Sequence, residues 1–287
     1  MPEMPEVEGL RAFLDEALSG RAIVRGDLVA FAALKTFAIG LDALVGLEVT
    51  AVARHGKFLD IDASGVHLIV HLARAGWLVW HERLPATVPR AGRSGIALRV
   101  GLDDDSGFDL TEAGTQRSLA IYVVSDPLEV PGIAALGPDP LDDAFTGDDF
   151  AHLLADAGRA QLKGVLRDQK NLAGIGNAYS DEILHAARLS PFKAAGSLTD
   201  DERDRLWEAT TQVLQGALDA ATALRPHQLK DAKRSTMRVH GRAGEACDVC
   251  GTTIAQVSFA DSALQYCPGC QTGGALLADR RLSKLLK

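Results

Sequence analysis

Cys247-Asp-Val-Cys250-Gly-Thr-Thr-Ile-Ala-Gln-Val-Ser-Phe-Ala-Asp-Ser-Ala-Leu-Gln-Tyr-Cys267-Pro-Gly-Cys270 holds all four cysteines of the 287-residue chain. Two Cys-x2-Cys knuckles stand sixteen residues apart. Each knuckle can present two thiolates to one side of a tetrahedral zinc ion, and four thiolates leave no position open for substrate. The site expected from Cys247, Cys250, Cys267 and Cys270 is therefore structural and holds one Zn2+. Strand character from Ile254 to Phe259, and again before Cys267, makes the intervening segment a β-hairpin. Free or disulfide-bonded cysteines are the alternative, but clustered cysteines of a reducing compartment more often bind metal. Such ribbons occur in many proteins, so the motif specifies zinc and not function.

Upstream of the ribbon the charge reverses. The net charge is −8, which argues at first against a nucleic-acid partner. Its distribution is more informative. Acids crowd into Asp103–Asp105, Asp139–Asp149 and Asp200–Asp204, whereas Arg225, Lys230, Lys233, Arg234, Arg238 and Arg242 face only Asp231. A second basic group, Arg280, Arg281, Lys284 and Lys287, closes the chain. Both groups read either as solvated faces or as an anion-binding surface beside the ribbon.

Further upstream the periodicity is helical, over Thr199–Leu224, Asn177–Ala187, Gln161–Gln169 and Phe150–Ala157. Thr199 with Glu202 forms a capping box, and Pro191 is the expected stop after the Asn177 helix. The Pro-rich run Pro127–Pro140 marks a boundary. Before it come short β-branched segments at Ala22–Val29, Leu47–Ala53, Phe58–Ile61, Val66–Leu72, Ile96–Leu102 and Leu119–Val124. Asp62-Ala-Ser-Gly65 reads as a hairpin turn, and the set predicts an antiparallel sandwich or barrel. Val7, Leu10, Phe13, Leu14 and Leu18 predict an opening helix over Pro5–Leu18. The fold class is thus α+β and multidomain, with parts at 1–130, 141–238 and 239–287. No apolar run approaches the roughly 20 residues of a membrane span, and the acidic start is no secretion signal, so the cytoplasm is the expected compartment.

Pro2 follows the initiator methionine. If Met1 is removed, Pro2 carries a secondary amine, and an α-amine with a pKa near 7.7–8.0 is partly unprotonated at neutral pH. Such a nucleophile can form a Schiff base, with Glu3 and Glu6 at hand to move protons. Taken alone, Pro2-Glu-Met-Pro5 reads first as a device setting the entry of the helix, and the chemical reading comes second.

Several segments together change that balance. Met1-Pro-Glu-Met-Pro-Glu-Val-Glu8, His55-Gly-Lys-Phe-Leu59, Asp168-Gln169 with Ala173-Gly-Ile-Gly-Asn177, Asp181-Glu-Ile-Leu184, Val239-His-Gly-Arg-Ala-Gly-Glu-Ala-Cys247 and Cys267-Pro-Gly-Cys-Gln271 resemble, in order, the motifs of the formamidopyrimidine-DNA glycosylase/endonuclease VIII family. The resemblance spans almost the whole chain. It implies an N-terminal catalytic β-sandwich with its first helix, a helix–two-turn–helix domain and a C-terminal β-hairpin zinc finger. It also implies base-excision repair of damaged double-stranded DNA, by a glycosylase that is also an abasic-site lyase, acting as a monomer. Pro2 would be the Schiff-base nucleophile, Glu3 the proton donor and acceptor, Glu6 an organiser of the site and Lys57 a phosphate ligand. DNA contacts would come from His71, Arg74, Arg117, Lys163, Asn177 and Arg242. Asn177, at a helix start after two glycines, suits a phosphate.

Three positions depart from the family pattern. Arg74, in His71-Leu-Ala-Arg-Ala-Gly76, stands where members carry a methionine that fills the gap left by a flipped base. Leu110-Thr-Glu-Ala-Gly-Thr-Gln-Arg117 replaces an Arg-Arg-Phe-Gly wedge. Ser262, preceded by Asp261, replaces a finger arginine. Arg74 could fill the gap with a planar guanidinium, and Arg117 could restore a phosphate contact. The segment Ala221–Arg238 is short for a loop capping 8-oxoguanine, which favours oxidised pyrimidines or abasic sites. A non-catalytic damage-binding protein of the same fold is the second reading, and a zinc-ribbon interaction protein the third.

Overall fold

The computed structural model describes residues 1–90, 95–259 and 262–278. The closing basic group (Arg280, Arg281, Lys284, Lys287) and Asp261 lie outside the described residues. The chain divides into two compact units, Met1–Leu136 with Leu218–Lys230, and Gly137–Ala217 with Asp231–Lys287. No helix among the described residues is long and apolar enough to cross a membrane.

In the first unit, helix α1 (Met4–Leu18) precedes eight strands. They are β1 (Ile23–Leu28), β2 (Val49–His55), β3 (Phe58–Ala63), β4 (Val66–His71), β5 (Gly76–His81), β6 (Ile96–Leu102), β7 (Gly107–Glu112) and β8 (Ala120–Val124). They form two four-stranded sheets of order β1-β6-β7-β5 and β2-β3-β4-β8, antiparallel throughout. A core of Leu10, Leu14 and Leu18 from α1 with Leu59, Ile61, Leu68, Leu98, Val100, Phe108 and Leu110 is buried inside it. Of the two arrangements expected, a sandwich is the one found.

Two strands, β5 and β7, had no sequence signal. In β5 the first three residues are buried in succession, so alternation is lost. In β7 the alternation is hidden by buried acids, Asp109 and Glu112. Asp109 is tolerated there because Arg99 of β6 pairs with it through two bonds, Nε to Oδ1 at 2.7 Å and Nη2 to Oδ2 at 2.8 Å. His81 Nε2 lies 3.0 Å from the same Oδ2. Arg99 Nη1 also donates to the carbonyls of Thr87 at 2.9 Å and Pro85 at 3.2 Å, completing the solvation of a buried charge.

A single turn, α2 (Pro131–Ala134), closes the first stretch of the first unit; the second unit then holds α3 (Gly147–Ala157), α4 (Leu162–Arg167), α5 (Asn177–Ala186) and most of α6 (Asp200–Thr222), whose last residues belong to the first unit. The capping box is present: Thr199 N donates to Glu202 Oε2 at 3.0 Å and Glu202 N to Thr199 Oγ1 at 3.3 Å. Helix α5 ends before Pro191 is reached. Arg188 adopts φ 54°, and Leu189 N closes on Leu184 O at 3.0 Å, so a left-handed turn stops the helix. The segment Ala221–Arg238, read as a loop, contains helix α7 (Leu229–Thr236). Only Leu229 of that helix is buried, which is too little apolar pattern to signal a helix.

The last 13 residues of the first unit, Leu218–Lys230, arrive from the end of α6. Their contact with α1 requires Gly9. A Cβ there would lie 2.7 Å from Ala221 O and 2.9 Å from Leu229 Cδ2.

Asp109→Ala would leave the Arg99 guanidinium buried without its counter-charge. Breaking one side of such a pair costs about 3–5 kcal/mol. A urea unfolding curve should show a loss of that order, and a loss below about 1 kcal/mol would remove the pair from the account of stability.

Candidate functional site

The N-terminal cluster is set by how α1 lies on β2. Asp15 Oδ1 accepts from Val52 N at 3.0 Å, and Glu8 Oε2 accepts from Arg54 Nε at 2.7 Å. Advancing along β2 therefore means retreating along α1. The β2–β3 turn, Gly56-Lys57, arrives where the helix begins. Gly56 takes φ 56°, and Arg54 Nη1 donates to its carbonyl at 3.1 Å. Glu8 Oε1 also accepts from Arg11 Nε, so one carboxylate joins helix and hairpin.

At the helix start Pro2, Glu3 and Glu6 are all buried. Glu6 Oε2 accepts from Glu3 N at 2.8 Å, fixing the first turn. Lys57 is 8% exposed, which is unusual for a turn lysine. His71 ends β4 opposite Phe58, and the two rings pack with centroids 4.6 Å apart. Burial and the nearby Lys57 ammonium lower the His71 pKa to about 4. The sequence-selected residues Pro2, Glu3, Glu6, Lys57 and His71 thus belong to one end of the sandwich.

Two further turns occupy that end. Gly76 N closes on Leu72 O at 2.9 Å, leaving Arg74 exposed at the tip of the β4–β5 turn. Ala113 N donates to Ala75 O at 3.2 Å, so the turn after β7 lies beside it. That turn carries the exposed Arg117 and is anchored by buried Glu112, whose Oε1 accepts from Ser118 N at 2.6 Å and Leu119 N at 2.8 Å.

In the second unit, Gln169 holds the double turn before α5. Its amide donates to Arg167 O at 2.8 Å and Ile175 O at 2.7 Å, and its Oε1 accepts from Gly174 N at 3.0 Å. Asn177 opens α5 after the N-cap Gly176. Its Nδ2 donates to Ala263 O at 2.8 Å, which attaches the helix start to the finger hairpin.

Lys163 and Arg242 differ from the DNA contacts expected of them. Lys163 is buried, and its ammonium donates to Asn177 O at 3.1 Å, Ser180 Oγ at 3.0 Å and Asp181 Oδ1 at 2.5 Å. Its three donors are occupied inside the unit. Arg242 pairs with Asp248 through Nη1 at 2.6 Å and Nη2 at 3.1 Å, and with Glu245 through Nε at 2.8 Å. A phosphate would have to displace those carboxylates.

Sequence reasoning overlooked the roles of Asp181 and Glu182. Glu182 accepts from three successive amides, Arg238 N at 2.8 Å, Val239 N at 3.0 Å and His240 N at 2.8 Å. Burial raises its pKa against the pull of those bonds. Asp181 Oδ2 accepts from His240 Nδ1 at 2.8 Å and Gln265 N at 3.2 Å. Two adjacent acids on a buried helix were the available signal.

The finger hairpin is β9 (Ala255–Ser258) with β10 (Ala263–Tyr266), followed by the turn α8 (Pro268–Gln271). Cys247 and Cys270 Sγ are 3.9 Å apart, and Cys250 and Cys267 Sγ 3.3 Å apart. These separations bracket the edge of about 3.8 Å in a tetrahedron with Zn–S bonds near 2.3 Å. The donor set fits one structural zinc. Gly269 permits the second knuckle, since a Cβ there would fall 3.0 Å from Cys250 Sγ.

Comparison with known proteins gives a consistent match. Residues 1–117 match the formamidopyrimidine-DNA glycosylase N-terminal domain, 136–226 the formamidopyrimidine-DNA glycosylase H2TH domain, and 244–273 the zinc finger found in FPG and IleRS. A formamidopyrimidine-DNA glycosylase of Heliobacterium modesticaldum is 34% identical, over 94% of this chain and 100% of its own. The crystal structure of the MutM (Fpg) protein of Thermus thermophilus superposes with a TM-score of 0.78 and 30% identity, over 96% of this chain and 100% of that one. Lactococcus lactis Fpg in complex with DNA containing N7-benzyl-Fapy-dG gives a TM-score of 0.81 and 25% identity, over 94% and 100%.

The lowered His71 pKa has a pH consequence. The unfolded chain takes up this proton near 6.5, the folded chain near 4. Its contribution to stability is therefore full above pH 6.5 and is lost as pH falls toward 4. An NMR titration of the His71 ring should show a midpoint near 4; a midpoint near 6.5 would contradict the burial assigned to it.

Proposed function

Because the chain belongs to the formamidopyrimidine-DNA glycosylase family, we propose that it is a base-excision repair enzyme that removes oxidised bases from duplex DNA and then cleaves the strand at the abasic site. The observation that carries this reading is the convergence of the α1 start, with Pro2, Glu3 and Glu6, and the Lys57 turn.

Removal of Met1 converts the Pro2 nitrogen from an amide to a secondary amine. That amine attacks C1′ of the damaged nucleotide. The N–C1′ bond forms as the glycosidic bond breaks, and the base leaves with a proton supplied by the Glu3 carboxyl. The proton that the Pro2 nitrogen loses on bonding passes through the Glu3 carboxylate to O4′ as the C1′–O4′ bond opens, leaving an iminium that acidifies C2′. Loss of a C2′ proton then expels the 3′ phosphate. Glu6 serves by holding the Glu3 backbone, and Lys57 holds the phosphate next to the lesion. His71, kept neutral, adds no charge beside that lysine.

The nucleotide must leave the stack, at a cost of a few kcal/mol. We assign to exposed Arg74 the filling of the gap, through a guanidinium stacked on a base, and to Arg117 a phosphate contact beside it. Asn177 approaches a phosphate through its helix start, with Lys163 acting only through it. Arg242 would join once released from Asp248. Helix α7 occupies much of the segment after α6, and this supports oxidised pyrimidines or abasic sites over 8-oxoguanine. The division into 1–130, 141–238 and 239–287, with a monomer as the working form, completes the reading.

The replaced wedge positions and the occupied Arg242 favour a second reading, a damage-binding protein without catalysis. Borohydride added to Met1-processed protein on abasic duplex separates the two. A covalent protein–DNA band that vanishes in Pro2→Gly is expected. A processed, zinc-loaded protein that binds the DNA and gives no band supports the second reading instead.

Arg74→Ala tests the gap-filling role. Loss of one stacked side chain should weaken binding to lesion duplex by about 1–3 kcal/mol, roughly 5- to 150-fold, with little change for undamaged duplex. Equal affinities for lesion DNA before and after the substitution would discard the role.

A further inference from the structure

Helix α5 carries a residue whose position the zinc finger alone does not explain. Asp181 and His185 stand four residues apart, on one face of the helix. Asp181 takes the finger hairpin through Gln265 N at 3.2 Å, and His185 reaches the metal ligands themselves. Its ring is 4% exposed, and Nε2 lies 3.4 Å from Cys247 Sγ. The ligand atoms of His185, Cys247, Cys267 and Cys270 all fall within 4.8 Å of one another. The other ring nitrogen, Nδ1, is buried without a hydrogen-bond partner among the described residues, so none of them locks the tautomer through a second bond.

The four cysteines are not equivalent. Cys247 and Cys267 are buried and Cys270 is half-buried, but Cys250 is exposed. Zinc accepts three thiolates and an imidazole as well as four thiolates, and the nitrogen–sulfur edge of such a tetrahedron is about 3.5 Å. His185 Nε2 already sits at that spacing from Cys247 Sγ.

We infer that His185 is a reserve zinc ligand, so that the finger contains two overlapping tetrads: the four cysteines, and His185 with Cys247, Cys267 and Cys270. With all four thiolates bound, Nε2–H donates to the Cys247 sulfur. When Cys250 is withdrawn, the ring proton is carried by Nδ1 and the Nε2 lone pair completes the coordination. One anionic ligand is exchanged for a neutral one, and no redox step is involved. The finger would then keep its metal after losing its most exposed ligand. This inference concerns the metal alone and stands apart from the glycosylase reading.

The test uses the full chain as wild type, Cys250→Ala, His185→Phe and the double variant. Zinc content is measured after dialysis, and Co2+ absorption after metal replacement. Cys250→Ala should retain about one zinc, with cobalt ligand-field bands moved to shorter wavelength as nitrogen replaces sulfur. His185→Phe should retain zinc and the four-thiolate spectrum. The double variant should bind zinc at least about tenfold more weakly than Cys250→Ala. The inference is overturned if Cys250→Ala loses zinc as fully as the double variant does. It is equally overturned if the two share one cobalt spectrum, since water would then be the fourth ligand. Loss of zinc from His185→Phe with all cysteines intact would also overturn it, because His185 would then be an obligatory part of the site.

Discussion

The register of helix α1 on strand β2 is the constraint on which the candidate catalytic end depends. The helix that follows it sets the position of Pro2, the proposed nucleophile. Glu8 and Asp15 do so by binding Arg54 and Val52 N, seven residues of helix against two of strand. The Lys57 turn is the short continuation of the same strand. Moving α1 by one turn, about 5.4 Å, would separate Pro2, Glu3 and Glu6 together from the Lys57 turn. Gly9 extends the constraint to the other face of the helix, where Ala221 and Leu229 close in on a position with no side chain.

The second unit depends on a comparable pair, Asp181 and Glu182. Between them they accept five hydrogen bonds from the stretch Arg238–His240, from Gln265 and from the His240 ring, and a further one from Lys163. Buried carboxylates are costly unless fully bonded, and burial pushes the Glu182 pKa up despite its three amide bonds. The gain is positional. The helix that presents Asn177 also fixes the entry to the zinc finger, and the zinc in turn closes the ribbon against it.

Much of this was legible in the sequence, for identifiable reasons. Strands β1, β2, β3, β4, β6 and β8 are short apolar runs between turn residues, and the helices α3 to α6 carry caps or clear periodicity. The zinc ligands followed from spacing alone. Strand β5 did not show because its first three residues are buried in succession, and β7 because Asp109 and Glu112 are buried acids whose partners, Arg99 and the amides of Ser118 and Leu119, are distant or unpatterned in sequence. Helix α7 did not show because a helix with one buried residue has no apolar stripe. Lys163 and Arg242 looked like free cations; only coordinates reveal that Asp181 and Asp248 already hold them. The same limit hid His185, since neither the helix nor the ribbon motif names the other.

The net charge of −8 and a duplex partner are reconciled by which charges the fold itself engages. Acids at Thr146–Asp149 and Thr199–Glu202 are capping groups whose charge is directed at helix amides. Lys230 Nζ and Lys233 Nζ lie over the rings of Trp77 and Tyr179, at 4.4 and 4.6 Å. A cation held over an aromatic face keeps its charge and its outward hydrogen-bonding capacity, so these lysines are ordered before any phosphate arrives. Affinity built from a few such ordered cations on an acidic protein should be strongly salt-sensitive, because attraction is local while repulsion from the remaining surface is screened over about 10 Å.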